Sequence, residues 1–360
     1  MTDLSVVRVP RDWAVRLAAS ILEAADVRSD SADITAEQLV LADLRGVDTH
    51  GLMRLPNYIE RMRRGELEPD VEPAVLTETS GTATVDGRHG LGQVNSHFAM
   101  SLAVDKARDN GVAAVTVRNS SHFGAAAGYP MLATERGCIG IATTNAWPLL
   151  PAVGGAARRV GNNPLAIGAP TRLGYPLVLD IAMSHVAAGK LRIAAEGDNV
   201  IPPDWAFDKH GNATTDARAA LFGGGLLRPM ADHKGFALAL MMDVLAGVLS
   251  GAGYGPSVTG LDEPGYVHVG HFFVALDVAA FMDLECFLDR IDDLAAHVHA
   301  SPRRQGVDRV LVPGEVEATR TAERLRDGIP YRRDLYDRLL ALAADFEVDV
   351  GAPDAKRVGT

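Results

Sequence analysis

Short apolar runs alternate with stretches of helical periodicity through the middle of the chain, and this alternation limits the fold more than any other feature. Residues 112–117 (VAAVTV) and 138–144 (CIGIATT) have strand length and are rich in apolar and β-branched residues, the pattern of strands covered on both faces. Residues 82–85, 165–169, 176–181 and 271–276 read as further strands. Residues 93–110, 122–135, 183–195, 234–249 and 283–299 carry helical spacing. An α/β fold is expected. The two ends read differently. Val15, Leu17, Ala18, Ile21 and Leu22 fall on helical spacing, Ser31 opens a second helix, and a third runs from 51 to 64 and stops at Gly65. Residues 315–346 read as two helices that return to pack on the N-terminal ones. At 360 residues the chain can build two domains or one large one.

Charge and cysteine usage narrow the partners. Asp and Glu number 46 against 35 Lys and Arg, a formal net charge of −11. Such a surface repels phosphate backbones, so neither a nucleic acid nor an anionic membrane is an expected partner. The densest basic cluster, Arg61, Arg63 and Arg64, reads as a solvated helix face. Cys138 and Cys286 sit among apolar neighbours without metal-ligand spacing, which predicts buried free thiols in a reducing compartment. No structural metal is expected: His297 and His299 face different ways on a helix, and His268 and His271 flank a glycine. Asp3, Arg8, Arg11 and Asp12 stand where a signal peptide needs an apolar core. The uncharged run 137–157 is interrupted by Pro148, Pro151, Gly154 and Gly155. A cytoplasmic chain is the expectation.

The dinucleotide fingerprint G-x-G-x-x-G is missing. Gly90-Leu-Gly-Gln-Val-Asn95 lacks the third glycine, and Gly251-Ala-Gly-Tyr-Gly255 follows a helix instead of a strand. There is no P-loop lysine, G-x-S-x-G elbow or HExxH. Four local constellations remain. In Asp48-Thr49-His50-Gly51, His50 opens a helix with Arg54 one turn later on the same face. A guanidinium grips a carboxylate through two parallel bonds, and a histidine trades a proton near neutral pH. The structural alternative is a cap, with Asp48 or Thr49 closing the helix start. Asn119-Ser-Ser-His122-Phe-Gly124 follows a buried strand, where α/β folds place ligands; the alternative is a turn capped by Ser120 or Ser121. Gly161-Asn-Asn-Pro164 reads as a turn. Lys234 at the start of an apolar helix is unfavourable against the helix dipole unless an anion lies nearby, or it is simply exposed.

Six ordered blocks carry a family resemblance. ADLRGVDTHGLMRLPNYIERM (42–62), SSHFGAAAGYPMLATERGCIGIATTNA (120–146), GNNPLAIGAP (161–170), LDIAMSHVAAGKLR (179–192), HKGFALALMMDVLAGVLSGAGYG (233–255) and VLVPGE (310–315) resemble the type 2 malate/L-lactate dehydrogenases. The family includes ureidoglycolate, sulfolactate and diketogulonate enzymes and piperideine-carboxylate reductases. The resemblance spans about residues 10 to 348. It implies a non-Rossmann NAD(P)-binding α/β domain around a mixed sheet (residues 76–314). A helical domain would be formed from both chain ends (1–75 with 315–360). It also implies a homodimer with the active site near the interface.

The resemblance further implies roles. His50 matches a histidine assigned as proton donor, and His122 one named as proton acceptor; His50 is taken as the acid/base and His122 as orienting or polarising the substrate. Arg54, with Thr49 beside it, falls on the carboxylate-binding segment. Asp180 falls beside the nicotinamide and could orient a histidine or contact the substrate. Asp180, Ala182, Met183, Ser184, Lys234, Pro313, Gly314 and Glu315 match cofactor-contacting segments, for NAD or NADP. Ala231-Asp232 stands where relatives often have Gly-Gly, and Asp232 could pair with Lys234 or alter cofactor preference. His185 is a local variation. The implied function is hydride transfer between nicotinamide and C2 of a small 2-hydroxy or 2-oxo carboxylate. Alternatives are a reductase of cyclic or N-alkyl 2-imino carboxylates and a catalytically silent NAD(P)-binding member.

Overall fold

The structure, a computed structural model, describes residues 6–197 and 199–353; Asp3, used above, lies outside the described residues. Strand β1 (Val6–Val9) leads into helices α1 (Arg11–Ala24) and α2 (Ser29–Leu44). Helix α1 buries Trp13, Ala14, Leu17, Ala18, Ile21 and Leu22 along one face, the repeat of an amphipathic helix. Two 3₁₀ turns, Asp48–His50 and Leu52–Arg54, precede α3 (Leu55–Arg63). The helix expected from residue 51 therefore begins late, and His50 is not on it. Gly51 is extended there (φ −88°, ψ −151°) and separates the two turns. A Cβ at Gly51 would lie 1.7 Å from Asp43 Oδ1, so only glycine fits. Arg61 corrects the reading of a solvated face. It is 1% exposed and donates to the carbonyls of Leu261 (2.8 Å) and Glu263 (3.1 Å), while Arg63 and Arg64 remain exposed.

The central elements follow as β2 (Ala74–Glu78), β3 (Thr82–Asp86), α4 (Gly92–Asn110), β4 (Val112–Ser120), α5 (Gly128–Thr134) and β5 (Cys138–Thr144). Helix α5 starts well after the expected residue 122. The stretch before it bonds to itself: Gly124 N–H donates to the His122 ring, and the Tyr129 hydroxyl donates to the Phe123 carbonyl. Local side-chain to backbone bonds of this kind compete with helix formation. Next come a hairpin of β6 (Pro148–Pro151) and β7 (Arg158–Gly161), then β8 (Leu165–Ala169), β9 (Leu177–Ile181) and α6 (Ala188–Glu196). Helix α6 is also shorter than expected. Ser184 instead forms an isolated antiparallel bridge with Pro229, with His185 N–H donating to the Arg228 carbonyl and Met230 N–H to that of Met183.

The remaining elements are β10 (Ala206–Phe207), α7 (Ala217–Leu221), β11 (Leu226–Leu227), α8 (His233–Asp243) running into a π turn (Val244–Val248), β12 (Val269–Asp277), α9 (Leu284–His299), α10 (Glu315–Asp327), β13 (Ile329–Arg332) and α11 (Arg333–Asp345). The main sheet has the order β2-β3-β4-β12-β5-β8-β9. It is mixed: β3 and β4 run parallel, and the other neighbours antiparallel. One face packs Val115, Val117, Ala142 and Phe273 against Ala99, Met100 and Ala103 of α4 and Tyr129 of α5. Strand β12 sits at the centre and sets His271 opposite Val117 and Thr144.

The C-terminal tail does return to the N-terminal helices. β1 pairs with β13, and Ile329, Tyr331, Leu339 and Leu342 join the cluster of Trp13, Leu17, Leu39 and Leu52. Both cysteines are free, but Cys286 is exposed, not buried, because α9 lies on the surface and buries only Ala295. No helix among the described residues is long and apolar enough to cross a membrane.

Asp43 is 1% exposed and accepts from Leu52 N–H (2.9 Å) and the Tyr331 hydroxyl (2.6 Å), joining α2, the 3₁₀ corner and β13. Asp43→Ala leaves both donors buried without a partner, and the expected loss of stability is about 3 kcal/mol. Urea unfolding measures it; a loss below about 1 kcal/mol, the scale of one ordinary hydrogen bond, would contradict this role.

Candidate active site

Four segments meet around two histidine rings. The first is the corner 48–58. Thr49 Oγ1 lies 2.9 Å from His50 Nδ1, and Arg54 Nε donates to the Thr49 carbonyl at 2.7 Å. That bond holds the base of the guanidinium, while its terminal nitrogens have no partner among the described residues. Neither Asp48 nor Thr49 caps a helix; Asp48 is paired with Arg324 of α10.

The second segment follows β4. The His122 ring stacks on His50 with centroids 5.5 Å apart and an interplanar angle of 23°. His122 Nδ1 lies 2.7 Å from the Tyr58 hydroxyl and 3.3 Å from Gly124 N. Gly124 has φ +80°, a conformation that favours glycine and brings its N–H onto the ring. Ser120 and Ser121 cap nothing. Ser120 Oγ accepts from Asn95 Nδ2 (3.0 Å) and meets His271 Nε2 (2.7 Å), while Ser121 Oγ is buried with no partner among the described residues.

The third contributor is α4, whose Gln93 is wholly buried and donates through Nε2 to the Tyr58 hydroxyl at 3.0 Å. The fourth is β9 and the chain after it. Asp180 Oδ2 accepts from Ala127 N–H at 3.0 Å and bonds to neither histidine. Gly189 packs on Thr49: a Cβ there would lie 2.6 Å from Thr49 Cγ2.

The other residues singled out from the sequence have contacts of their own, none of them with His50, Arg54, Tyr58 or His122 among the described residues. Met183 and Ser184 are buried, Ala182 is half-buried, and Ser184 Oγ has no partner among the described residues. Lys234 is exposed in the first turn of α8, whose Gly235 packs on the Met183 carbonyl. Asp232 does not pair with Lys234. It holds Arg228 at 2.7 and 3.0 Å, and both Ala231 and Asp232 have positive φ (47° and 54°), as a Gly-Gly pair would adopt more readily. The exposed His185 pairs with Asp204 at 3.2 Å. Pro313 accepts from Val178 N–H, Gly314 packs on the same strand, and the Glu315 carboxylate is engaged by His299, Arg309 and Val312 N–H. Within the 161–164 turn, Asn163 is a buried clasp, accepting from Ala146 N–H and donating to the Ala239 carbonyl.

Sequence reading missed Tyr58, Gln93 and His271. Tyr58 had a signal, since it stands four residues after Arg54 on the same helical face. The other two did not: Gln93 reads as helix and His271 as strand.

Burial, and next the Arg54 charge, push His50 down to about 3. Burial also drives His122 well below its ordinary value, with Arg54, His50 and His271 adding to the effect. Tyr58 is pushed up to about 12 by burial. Burial lifts Asp180 to about 6 against the opposing Ala127 N–H bond. Near neutral pH the two imidazoles are therefore uncharged beside the Arg54 cation, with the Arg192–Asp262 pair also within electrostatic reach of the guanidinium. Such a set binds an anion, and either gives or takes a proton at an adjacent atom.

A sequence profile of the family described as malate/L-lactate dehydrogenase matches residues 9–340. The chain is 37% identical to a malate dehydrogenase of Pyrococcus horikoshii over 354 residues, covering 96% of this chain and 98% of the relative. It is 35% identical to an L-sulfolactate dehydrogenase of Methanothermobacter thermautotrophicus, covering 95% and 98%. The fold superposes on the crystal structure of malate dehydrogenase from Entamoeba histolytica with a TM-score of 0.93 and 30% identity, covering 97% of this chain and 100% of that one. Names of further relatives specify NAD in one case and NADP in another.

His271 offers a test of the electrostatics away from the reacting atoms. It is wholly buried between Thr144 Oγ1 and Ser120 Oγ (2.7 Å each), and burial pushes it down to about 3. Its ordinary value in the unfolded chain is about 6.5. The depressed folded value means its contribution to stability is complete above about pH 6.5 and is lost as the pH falls towards 3. His271→Asn removes one proton from acid unfolding, so the slope of stability against pH flattens by about 1.4 kcal/mol per pH unit between about pH 6 and 4. Urea unfolding across that range measures it, and an unchanged slope would contradict a neutral His271.

Proposed function

The chain belongs to the malate/L-lactate dehydrogenase family, and from that premise we propose that it is a nicotinamide-dependent oxidoreductase of small 2-hydroxy and 2-oxo carboxylates. The observation that carries this reading is the stacked pair His50 and His122 beside a guanidinium whose terminal nitrogens are free. Arg54 binds the substrate carboxylate through two parallel bonds. That places C2 and its oxygen against the imidazoles. In reduction His50 delivers a proton to the oxygen developing at C2; in oxidation it takes the proton back. His122 donates a hydrogen bond to the same oxygen. Thr49 orients His50 through Nδ1.

The bound cofactor supplies or accepts the hydride at its nicotinamide ring. Asp180, Ala182, Met183, Ser184, Lys234, Pro313 and Gly314 would hold it. They fit: the buried Ser184 hydroxyl lacks a partner among the described residues, as a site awaiting a polar ligand does, and Lys234 offers a cation. Glu315 acts by holding the 309–315 turn against β9. Either NAD or NADP suits this set.

Two structural points belong to the same reading. The nicotinamide-binding fold differs from the Rossmann type, supported by a sheet with a single parallel strand pair among the described residues. The two chain ends form a helical unit, supported by their joint apolar cluster. The protein works as a homodimer with its active site near the interface. Leu238, Leu240, Met241, Val244, Val248 and Leu249 support this as an exposed apolar face on α8 and its π turn. Sedimentation velocity tests it: two chains per particle are expected, with Met241→Glu releasing monomers, and one chain per particle would contradict it.

The first experiment follows NADH and NADPH oxidation against 2-oxo acids with and without amines. Turnover only with an amine would shift the substrate to an imino acid; cofactor binding with no turnover would leave a silent binder. For the active enzyme, His50→Ala lowers kcat by about 10²–10⁴-fold. Arg54→Ala chiefly raises KM for carboxylate substrates. Near-normal turnover in the first variant, or an equal loss on a substrate lacking its carboxylate in the second, would sink these roles.

A further inference from the structure

His122 is a neutral imidazole, and which of its nitrogens carries the proton decides what it can do at the reacting oxygen. The surroundings of Nδ1 answer that. Gly124 N, 3.3 Å away, is a backbone N–H and can only donate. Nδ1 therefore accepts, and holds no proton. The Tyr58 hydroxyl at 2.7 Å must then donate to Nδ1 as well. Its oxygen accepts in turn from Gln93 Nε2 at 3.0 Å. Every donor in the series Gln93, Tyr58, His122 runs the same way, and the ring's one proton is left on Nε2. That nitrogen has no partner among the described residues.

Gln93 supports the same direction from behind. It is wholly buried, and its Oε1 has no partner among the described residues. Turned over, the amide would offer that oxygen to Tyr58, whose hydroxyl would donate backwards and require a proton on Nδ1. The Gly124 N–H would then meet another N–H. The Gly124 N–H opposes this arrangement, but at 3.3 Å it is the longer of the two contacts to Nδ1, and the Tyr58 hydroxyl at 2.7 Å supplies the stronger hold. Tyr58 is itself wholly buried and kept protonated by burial, which pushes it up to about 12, so its hydroxyl remains a donor throughout the working pH range.

We infer that Tyr58 is a positioning residue: it holds His122 in the tautomer whose Nε2–H faces no protein acceptor, so that the ring serves the reaction as a neutral hydrogen-bond donor. Tyr58 itself touches no reacting atom. The inference rests on the oxidoreductase reading only for its effect on turnover; the tautomer is a property of the free protein.

The experiment combines ¹⁵N NMR of the histidine rings in the ligand-free full chain with steady-state kinetics, for wild type, Tyr58→Phe and Gln93→Met. In wild type His122 is expected to have a bare Nδ1 and a protonated Nε2. Tyr58→Phe keeps the buried ring but loses the donor, and the His122 shifts move towards a mixture of tautomers. Its kcat falls about 10- to 100-fold, as for other residues that orient a catalytic ligand, while KM for the cofactor is unchanged. Gln93→Met leaves the Tyr58 and Gly124 donors in place, so the tautomer stays and kcat falls less. Circular dichroism and thermal unfolding confirm that each variant folds. If Tyr58→Phe does not fold, the wild-type spectrum decides alone: a protonated Nδ1 overturns the inference. So do unchanged His122 shifts in Tyr58→Phe, or a mixed tautomer with full kcat. An enzyme silent on every substrate would count against the function proposed above, while the ring spectra would still decide the tautomer.

Discussion

One buried carboxylate holds the rest of the site in place. Asp43 ends α2, accepts from the first backbone N–H after Gly51, and accepts from the Tyr331 hydroxyl on the returning C-terminal strand. Arg324 of α10 reinforces the same corner by donating to the Asp43 carbonyl and to Asp48. The backbone between these anchors cannot be helix, because Gly51 must lie flat against the carboxylate. That short break turns His50 and Arg54 onto the same opening without placing them on one helix. Burial pushes Asp43 up to about 7, so near neutrality it spends much of its time protonated and the corner tolerates its isolation from water. The tail, nearly 300 residues away in sequence, thereby becomes a support for the chemistry at residue 50.

How much of this is legible in sequence depends on the range of the interaction. Strands β5 and β8 coincide with their apolar runs, because a strand buried on one face and half-buried on the other writes its own boundaries into consecutive residues. Helix α4 is nearly as clear, with its glycine after the last turn. The three helices whose starts are misplaced are α3, α5 and α6, and the residues ahead of each border the candidate site. Periodicity runs on through those residues, but their backbone N–H groups serve other partners: the His122 ring, Asp43, and the 228–230 segment. A helix would have consumed those N–H groups internally. The irregular backbone is thus what the site is made of.

The residues that sequence reading missed fail for the same reason. Tyr58 finds its partner 64 residues on, and Arg61 its carbonyls 200 residues on. Nothing in the local pattern separates a buried arginine that laces a distant loop from one on a wet helix face. Asp232 errs in the opposite sense. Its partner is only four residues back, at Arg228, and the positive φ of its own backbone turns it from the lysine two residues ahead. His50 and Arg54 were readable because two chemically matched groups stand close in the chain, although the geometry that joins them is a pair of 3₁₀ turns and not the expected helical face.

The proton inventory of the free site follows from its burial and gives the arrangement a direction. Burial pushes the histidines down and Asp180 up, so each is driven towards its uncharged form, and the Arg54 charge presses the histidines further the same way. Arg54 remains a fixed cation, since a guanidinium does not lose its proton in a protein. An arriving carboxylate meets a guanidinium whose terminal nitrogens make no hydrogen bond among the described residues, although the Asp262 carboxylate also acts on that charge. Once bound, it offsets the very charge that disfavours a proton on His50 and His122, and their affinity for one rises. A hydroxy acid needs the histidine already bare, as it stands in the free protein. An oxo acid needs it charged, and brings with it the anion that makes charging possible. The same guanidinium that selects the carboxylate therefore also sets when the neighbouring imidazole can hold the proton to be transferred.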